Sequence, residues 1–160
     1  MSGMMPYEVA AVKYDDRSRL PLIELRENAG RKAFAIFVGK AGAQSLMAAL
    51  DPANRGVCAG RPLSHELTLA LATAAGWTVA RVEVVAITEA GTFVATVVLV
   101  DGQGDEKAHL DARPSDGLAL ALAAGAPVFV SDAVAAEVKT YAAATSPYRE
   151  IQPADLGYNN

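Results

Sequence analysis

What most constrains the fold of this chain is the order in which β-prone and helix-prone segments recur. Extended runs at 7–14, 20–27 and 32–38 are separated by the polar break Asp15-Asp16-Arg17-Ser18-Arg19 and the turn signal Asn28-Ala29-Gly30. Such breaks between β-prone runs predict an antiparallel meander. A helix rich in Ala and Leu follows at 41–50 and stops before Asp51-Pro52. The same order then returns. Strands at 79–87, 91–100 and 107–111 lead into a helix at 114–124, with Pro114 at its first position and Gly125 past its end. A shift of 72 places Ala43-Gln44-Ser45-Leu46-Met47-Ala48-Ala49-Leu50 on Ser115-Asp116-Gly117-Leu118-Ala119-Leu120-Ala121-Leu122. Helices rich in Ala and Leu match readily, so the repeated order carries more weight than the letters. The expectation is a single α+β domain at 1–144 with two duplicated βββα halves and a mixed or antiparallel sheet.

Between the halves lies an inserted helix at 64–75, in which Leu63, Leu67 and Leu71 share one stripe and Gly76 takes the position after the end. After the second half, 127–130 predicts a short strand. Ser131 caps a last helix at 132–142 that carries Val134, Val138 and Tyr141 at helical spacing. From Thr145 two prolines and a Gly-Tyr-Asn-Asn end predict an irregular tail at 145–160.

Composition narrows the function classes. The chain is 52% hydrophobic, enough for a core without staples, and its single cysteine excludes an internal disulfide and suits a reducing compartment. Cys58 lies in Gly56-Val57-Cys58-Ala59-Gly60 with no partner His in view, and reads as a small structural residue. The N-terminus has no basic and apolar leader, and the run 93–100 falls far short of the ~20 residues of a membrane span. A cytoplasmic protein is expected. The net charge of −4 divides into +2 for residues 1–60, −5 for 61–139 and −1 for 140–160. No basic stripe releases counterions, so any contact with nucleic acid must be local or assisted by a divalent cation.

The chemistry concentrates at two similar helix starts. One is Arg61-Pro62-Leu63-Ser64-His65-Glu66 and the other Asp111-Ala112-Arg113-Pro114-Ser115-Asp116. A first helical turn leaves N–H groups unpaired and carries partial positive charge, and an added Arg forks onto phosphate or carboxylate. Each start is therefore a candidate anion seat, with Arg61, Ser64, Arg113 and Ser115 as its binding groups. The same residues are ordinary helix-start grammar, in which Arg clamps a neighbouring acid such as Asp111 or Glu66. His65 is placed in the first turn, partly exposed and beside Glu66, where the helix end keeps it neutral for use as a base or metal ligand. His109 reads as a surface residue. Asp111 and Asp116 are candidates for holding Mg²⁺ or Mn²⁺ together with substrate phosphate oxygens. Glycine-rich phosphate loops, Cys/His clusters at metal spacing and a G-x-S-x-G elbow do not occur, which excludes the common nucleotide-fold and hydrolase classes.

At these residues the chain resembles the bifunctional nuclease domain family, which carries an Arg-Pro-Leu-Thr-His-Asp-like segment and an Asp-Ala-Arg-Pro-Ser-Asp segment. Further agreement lies at Gly91-Thr92-Phe93, at 118–122 and at Gly125-Ala126-Pro127-Val128-Phe129-Val130. The resemblance covers roughly 7–137. It implies an α+β fold, oligomers and a nuclease acting on DNA or RNA, with catalytic groups at His65, Glu66 and Asp116. Two departures mark a divergent member. The family's Pro-Ile-Trp-Ile-Gly reads Ala35-Ile36-Phe37-Val38-Gly39, and the acid that follows it is Gly42.

The leading expectation is metal-assisted phosphodiester hydrolysis. In it Asp111 and Asp116 hold the cation, His65 activates water, and Arg61 and Arg113 neutralise phosphate charge. Two alternatives use the same residues: a non-catalytic module binding a small anionic ligand or a regulatory partner, and a re-purposed small-molecule enzyme with His65 as acid/base. A homodimer or larger assembly is expected because the apolar strand 93–100 and the Ala, Val and Leu excess must be covered.

Overall fold

In the computed structural model, residues 3–53 and 60–157 are described, and Cys58 lies outside them. The first meander is β1 (Met4–Asp15), β2 (Leu20–Glu27) and β3 (Lys32–Phe37), all antiparallel, followed by α1 (Lys40–Leu50). Helix α2 (Ser64–Ala74) stands between the halves. The second meander is β4 (Thr78–Ile87), β5 (Phe93–Val100) and β6 (Glu106–Ala112), again antiparallel, followed by α3 (Pro114–Ala124). The strand-strand-strand-helix order thus occurs twice, in a single α+β domain. Strand β7 (Val128–Ser131) joins the meanders, antiparallel to β1 and parallel to β4, so the described residues form one mixed sheet in the order β6-β5-β4-β7-β1-β2-β3.

Helices α1 and α3 pack on each other and on this sheet, α1 against β1 and β2 and α3 against β4 and β5, and Ala43, Leu46, Leu118 and Ala121 share one core with Ile23, Leu25, Val82 and Val97. Gly117 permits the close seat of α3, because a Cβ there would come 3.1 Å from Cγ1 of Val82. The breakers act where the sequence puts them: α1 ends at Leu50, and Gly125 takes φ 65° after α3.

Three expectations fail. The stripe Leu63–Leu67–Leu71 does not face the core: Leu67 is 50% and Leu71 64% exposed, and α2 instead buries His65, with Leu69 half-buried below it. The last helix, α4 (Asp132–Glu137), is shorter than 132–142. Ser131 does cap it, its Oγ accepting from the N–H of Val134. The chain then leaves helical geometry at Val138 and forms β8 (Tyr141–Ala142), which pairs with Lys32 and Ala33 of β3. The tail is not irregular through Gly157 either. Strand β9 (Arg149–Glu150) pairs with β1, a 3-10 turn spans Pro153–Leu156, and Leu156 is buried.

The reason lies in β2, whose Pro21, Leu22, Ile23, Glu24 and Leu25 are all buried. A strand covered on both faces needs a second cover besides the helices. The tail supplies it: Tyr141 Oη and Ser146 Oγ donate to Oε2 of Glu24 at 2.9 and 2.7 Å. Lys13 Nζ lies 3.2 Å from Oε1 of the same carboxylate. Arg149 fastens the end, pairing with Asp16 and Asp155 and lying over the Tyr14 ring.

Candidate functional site

The second Arg-Pro start forms where β6 runs into α3. Arg113 is the residue before the helix, in extended geometry, and Pro114 occupies the first helical position. The guanidinium forks onto Asp116, Nε to Oδ2 at 2.7 Å and Nη2 to Oδ1 at 3.1 Å. The hydrogen bond to Asp116 and its charge raise the Arg113 pKa, so its cation is constant at any working pH. The pair remains open to solvent, Arg113 at 79% and Asp116 at 52% exposed. Asp111 is exposed on β6 opposite Thr96, and Ser115 is buried. The local clamp is therefore real, and it holds an accessible guanidinium at the positive end of a helix.

The first start is built differently. Arg61, Pro62 and Ser64 are exposed, and Glu66 turns back so that its Oε2 accepts from the N–H of Leu63 at 3.3 Å. His65 is 8% exposed, which corrects the expectation of a partly exposed imidazole. The cause is the rotation of α2, which directs His65 and Leu69 inward and the leucines outward. His65 Nε2 lies 4.0 Å from Glu66 Oε1, and the Glu66 side chain reaches solvent. Of this pair, Glu66 is the group that water meets.

Both starts belong to one helical layer, because α2 and α1 each pack on α3. The residues drawn together are Arg113 with Asp116, and His65 with Glu66. Ser115 faces Gly42, where a Cβ would stand 2.8 Å from the Ser115 Cβ. The position of the missing family acid is thus closed by helix contact and has no room for a side chain.

A divalent cation needs oxygen ligands. Among the described residues no three His, Cys, Asp or Glu side chains converge. Both oxygens of Asp116 already accept from Arg113. Among the described residues these donors therefore do not form an all-protein metal cage.

Two clusters escaped the sequence. One is the Glu24–Tyr141–Ser146–Lys13 network. The other is the chain Glu83–Arg81–Glu106–His109, in which Arg81 bridges Glu83 at 2.6 Å and Glu106 at 2.7 Å while His109 Nε2 meets Glu106 at 2.7 Å. Their decisive links, Tyr141 and Ser146 to Glu24 and Arg81 to Glu106, join residues far apart in sequence, so no local spacing announces them.

The family profile described as Bifunctional nuclease domain matches residues 23–143. Two uncharacterized proteins of Mycobacterium tuberculosis, from strains CDC 1551 and H37Rv, are each 34% identical over 129 residues, spanning 81% of this chain and 73% of theirs. No helix among the described residues is long and apolar enough to cross a membrane.

Proposed function

Because this chain belongs to the bifunctional nuclease domain family, we propose that it is a nuclease-like phosphodiesterase that receives a substrate phosphate at the Arg113 helix start. The observation that carries this reading is the exposed, Asp116-oriented guanidinium at the N-terminus of α3. Pro114 has no N–H to offer, so the N–H groups of the next residues and the Arg113 fork would form the seat. Arg61 and Ser64 would extend it at the α2 start. Glu66, held by the N–H of Leu63, would take the proton of the attacking water, with buried His65 4.0 Å from that carboxylate. Mg²⁺ or Mn²⁺, held by Asp111 and substrate oxygens, would offset charge on the phosphate.

Replacing Arg113 by Ala tests the seat. Binding of a nucleotide phosphate should weaken by roughly tenfold to a hundredfold, the effect of losing a hydrogen bond to a charged group. The melting temperature should move by no more than about 2 °C, since exposed ion pairs contribute little. Cleavage of single-stranded DNA or RNA on adding Mg²⁺ or Mn²⁺ should fall in parallel. A large stability loss with unchanged phosphate binding would make Arg113 a clamp and nothing more. A second reading, a non-catalytic module binding a small anion or nucleic acid, draws on Gly42 and on the absence of three converging ligands among the described residues. Phosphate binding sensitive to Arg113 without cleavage under either metal would select it.

A further inference from the structure

Five of the ten aromatic residues in the chain line one cavity of about 490 Å³, and no residue of the two Arg-Pro starts lines it. It wraps the outer edge of β3. Beyond Ala33 that edge has no strand partner among the described residues, because β8 pairs only with Lys32 and Ala33. On one side of the edge Phe34 stacks on Phe93 with ring centres 6.0 Å apart. On the other, Phe37 meets Tyr148 edge-on at 6.0 Å and Tyr148 meets Tyr141 at 5.6 Å. Phe37 is 44% exposed, so part of its ring is open to a ligand.

We infer that this cavity binds one uncharged planar heteroaromatic ring, of nucleobase size, at the open edge of β3. A ring lying in the plane of the strand would have aromatic side chains above and below it. Its polar rim would face those backbone N–H and C=O groups of residues 34–37 that point to the open edge, alternate residues being bonded to β2. Flat rings bind aromatic walls regardless of sequence, and their donors and acceptors match a strand edge. The volume lies in the usual range for small-ligand sites. Charge at the rim balances: Arg17 and Lys139 stand against Asp15 and Glu137. The Asp15 carboxylate is already engaged, accepting from the N–H groups of Arg17 and Ser18 and from Ser18 Oγ. Neither Arg17 nor Lys139 makes a close salt bridge among the described residues, though the Arg17 charge acts on Asp15, so both can swing to a phosphate attached to the ring. An extended peptide adding to the sheet is the competing occupant. Four residues of edge offer it few hydrogen bonds, and the aromatic enclosure serves a flat ring better.

That the ring is a nucleobase rests on the nuclease-like reading, and the test separates the two. Uridine and adenosine 5′-monophosphates, inorganic phosphate and a Val/Thr-rich hexapeptide are titrated into the full chain under chelator, where hydrolysis does not intervene, with backbone amide shifts as readout. The nucleotides should bind more tightly than phosphate and shift the amides of 34–37. Phe37→Ala should weaken them about fivefold or more, and Phe37→Tyr should restore them. Equal binding of phosphate and nucleotides, no effect of Phe37→Ala, or occupation of the edge by the hexapeptide alone overturns the inference. Nucleotide binding that depends on Phe37 in a protein without cleavage upholds the cavity and ends the nuclease reading. Cleavage with nucleotide binding indifferent to Phe37 does the reverse.

Discussion

Glu24 shows how a single residue governs more of the molecule than its surroundings in sequence suggest. Within Leu20-Pro21-Leu22-Ile23-Glu24-Leu25 an acid reads as the solvent face of a half-buried strand, yet its carboxylate is 3% exposed. What buries it comes from residues 141 and 146, more than a hundred positions away, so no local pattern could announce it. Burial and the neighbouring Glu24 carboxylate push the Tyr141 hydroxyl far up, and it remains a donor at any physiological pH. Tyr141→Phe should therefore cost about 1.5–3 kcal/mol, the range for a hydrogen bond to a charged group. That corresponds to a fall of roughly 3–12 °C in thermal midpoint for a chain of this size. A change under one degree would mean that water replaces the hydroxyl. Arg113 is the opposite case. Its fork onto Asp116 spans only three residues, within reach of the local clamp that helix-start grammar suggests. His65 lies between the two: its place in the first turn is legible, but its burial depends on how α2 rotates against α3, and either of two stripes satisfies helical spacing.

Elements were legible wherever a breaker fixed their ends. Asp51-Pro52 stops α1, Pro114 and Gly125 bracket α3, and Gly76 follows α2 with φ 85°. The spacing of Val138 and Tyr141 carries the last helix too far, because Tyr141 pairs with β3 and donates to Glu24 and so leaves helical geometry. The packing of α1 on α3 gives a test at this scale. Gly→Ala in a helix normally stabilises by up to ~1 kcal/mol. At Gly42 the added methyl would stand 2.8 Å from the Ser115 Cβ, so Gly42→Ala should destabilise instead, by about 1–3 kcal/mol as overpacking does. Combining it with Ser115→Gly should recover part of that loss, since the clash disappears with the second Cβ. Strict additivity in chemical denaturation would show that the helices do not meet there. The same contact explains why restoring an acid at position 42 should not rebuild the family's pattern: the backbone would have to open first.

At the scale of the whole molecule, two surfaces remain to be accounted for. The tail is one. The hydrogen bond from Arg149 holds the Asp155 carboxyl below the usual carboxylate range. A lowered folded pKa contributes stability above the unfolded value and loses it as pH falls through the folded one. The protection factors of amides in 146–157, with the intrinsic pH dependence of exchange divided out, should accordingly stay high at neutral pH and fall below about pH 4, where carboxylates protonate. The second surface is the outward face of α2. The apolar strand β5 gives no reason for self-association, because it lies between β4 and β6 with its centre buried. The reason moves to Leu67 and Leu71, with Trp77 37% exposed just past the helix. From residue 67 to residue 80 there is no charged side chain, so two copies of a chain with net charge −4 can meet here without like-charge repulsion. A twofold pairing through this face would bring α2 against its own copy, as isologous contacts do. Light scattering at micromolar concentration should then give a dimer mass, and Leu67→Glu with Leu71→Glu should give a folded monomer, since both positions are exposed within one chain. A monomer mass for the unaltered protein, or a dimer that survives both substitutions, would leave α2's leucines facing water and place any association elsewhere.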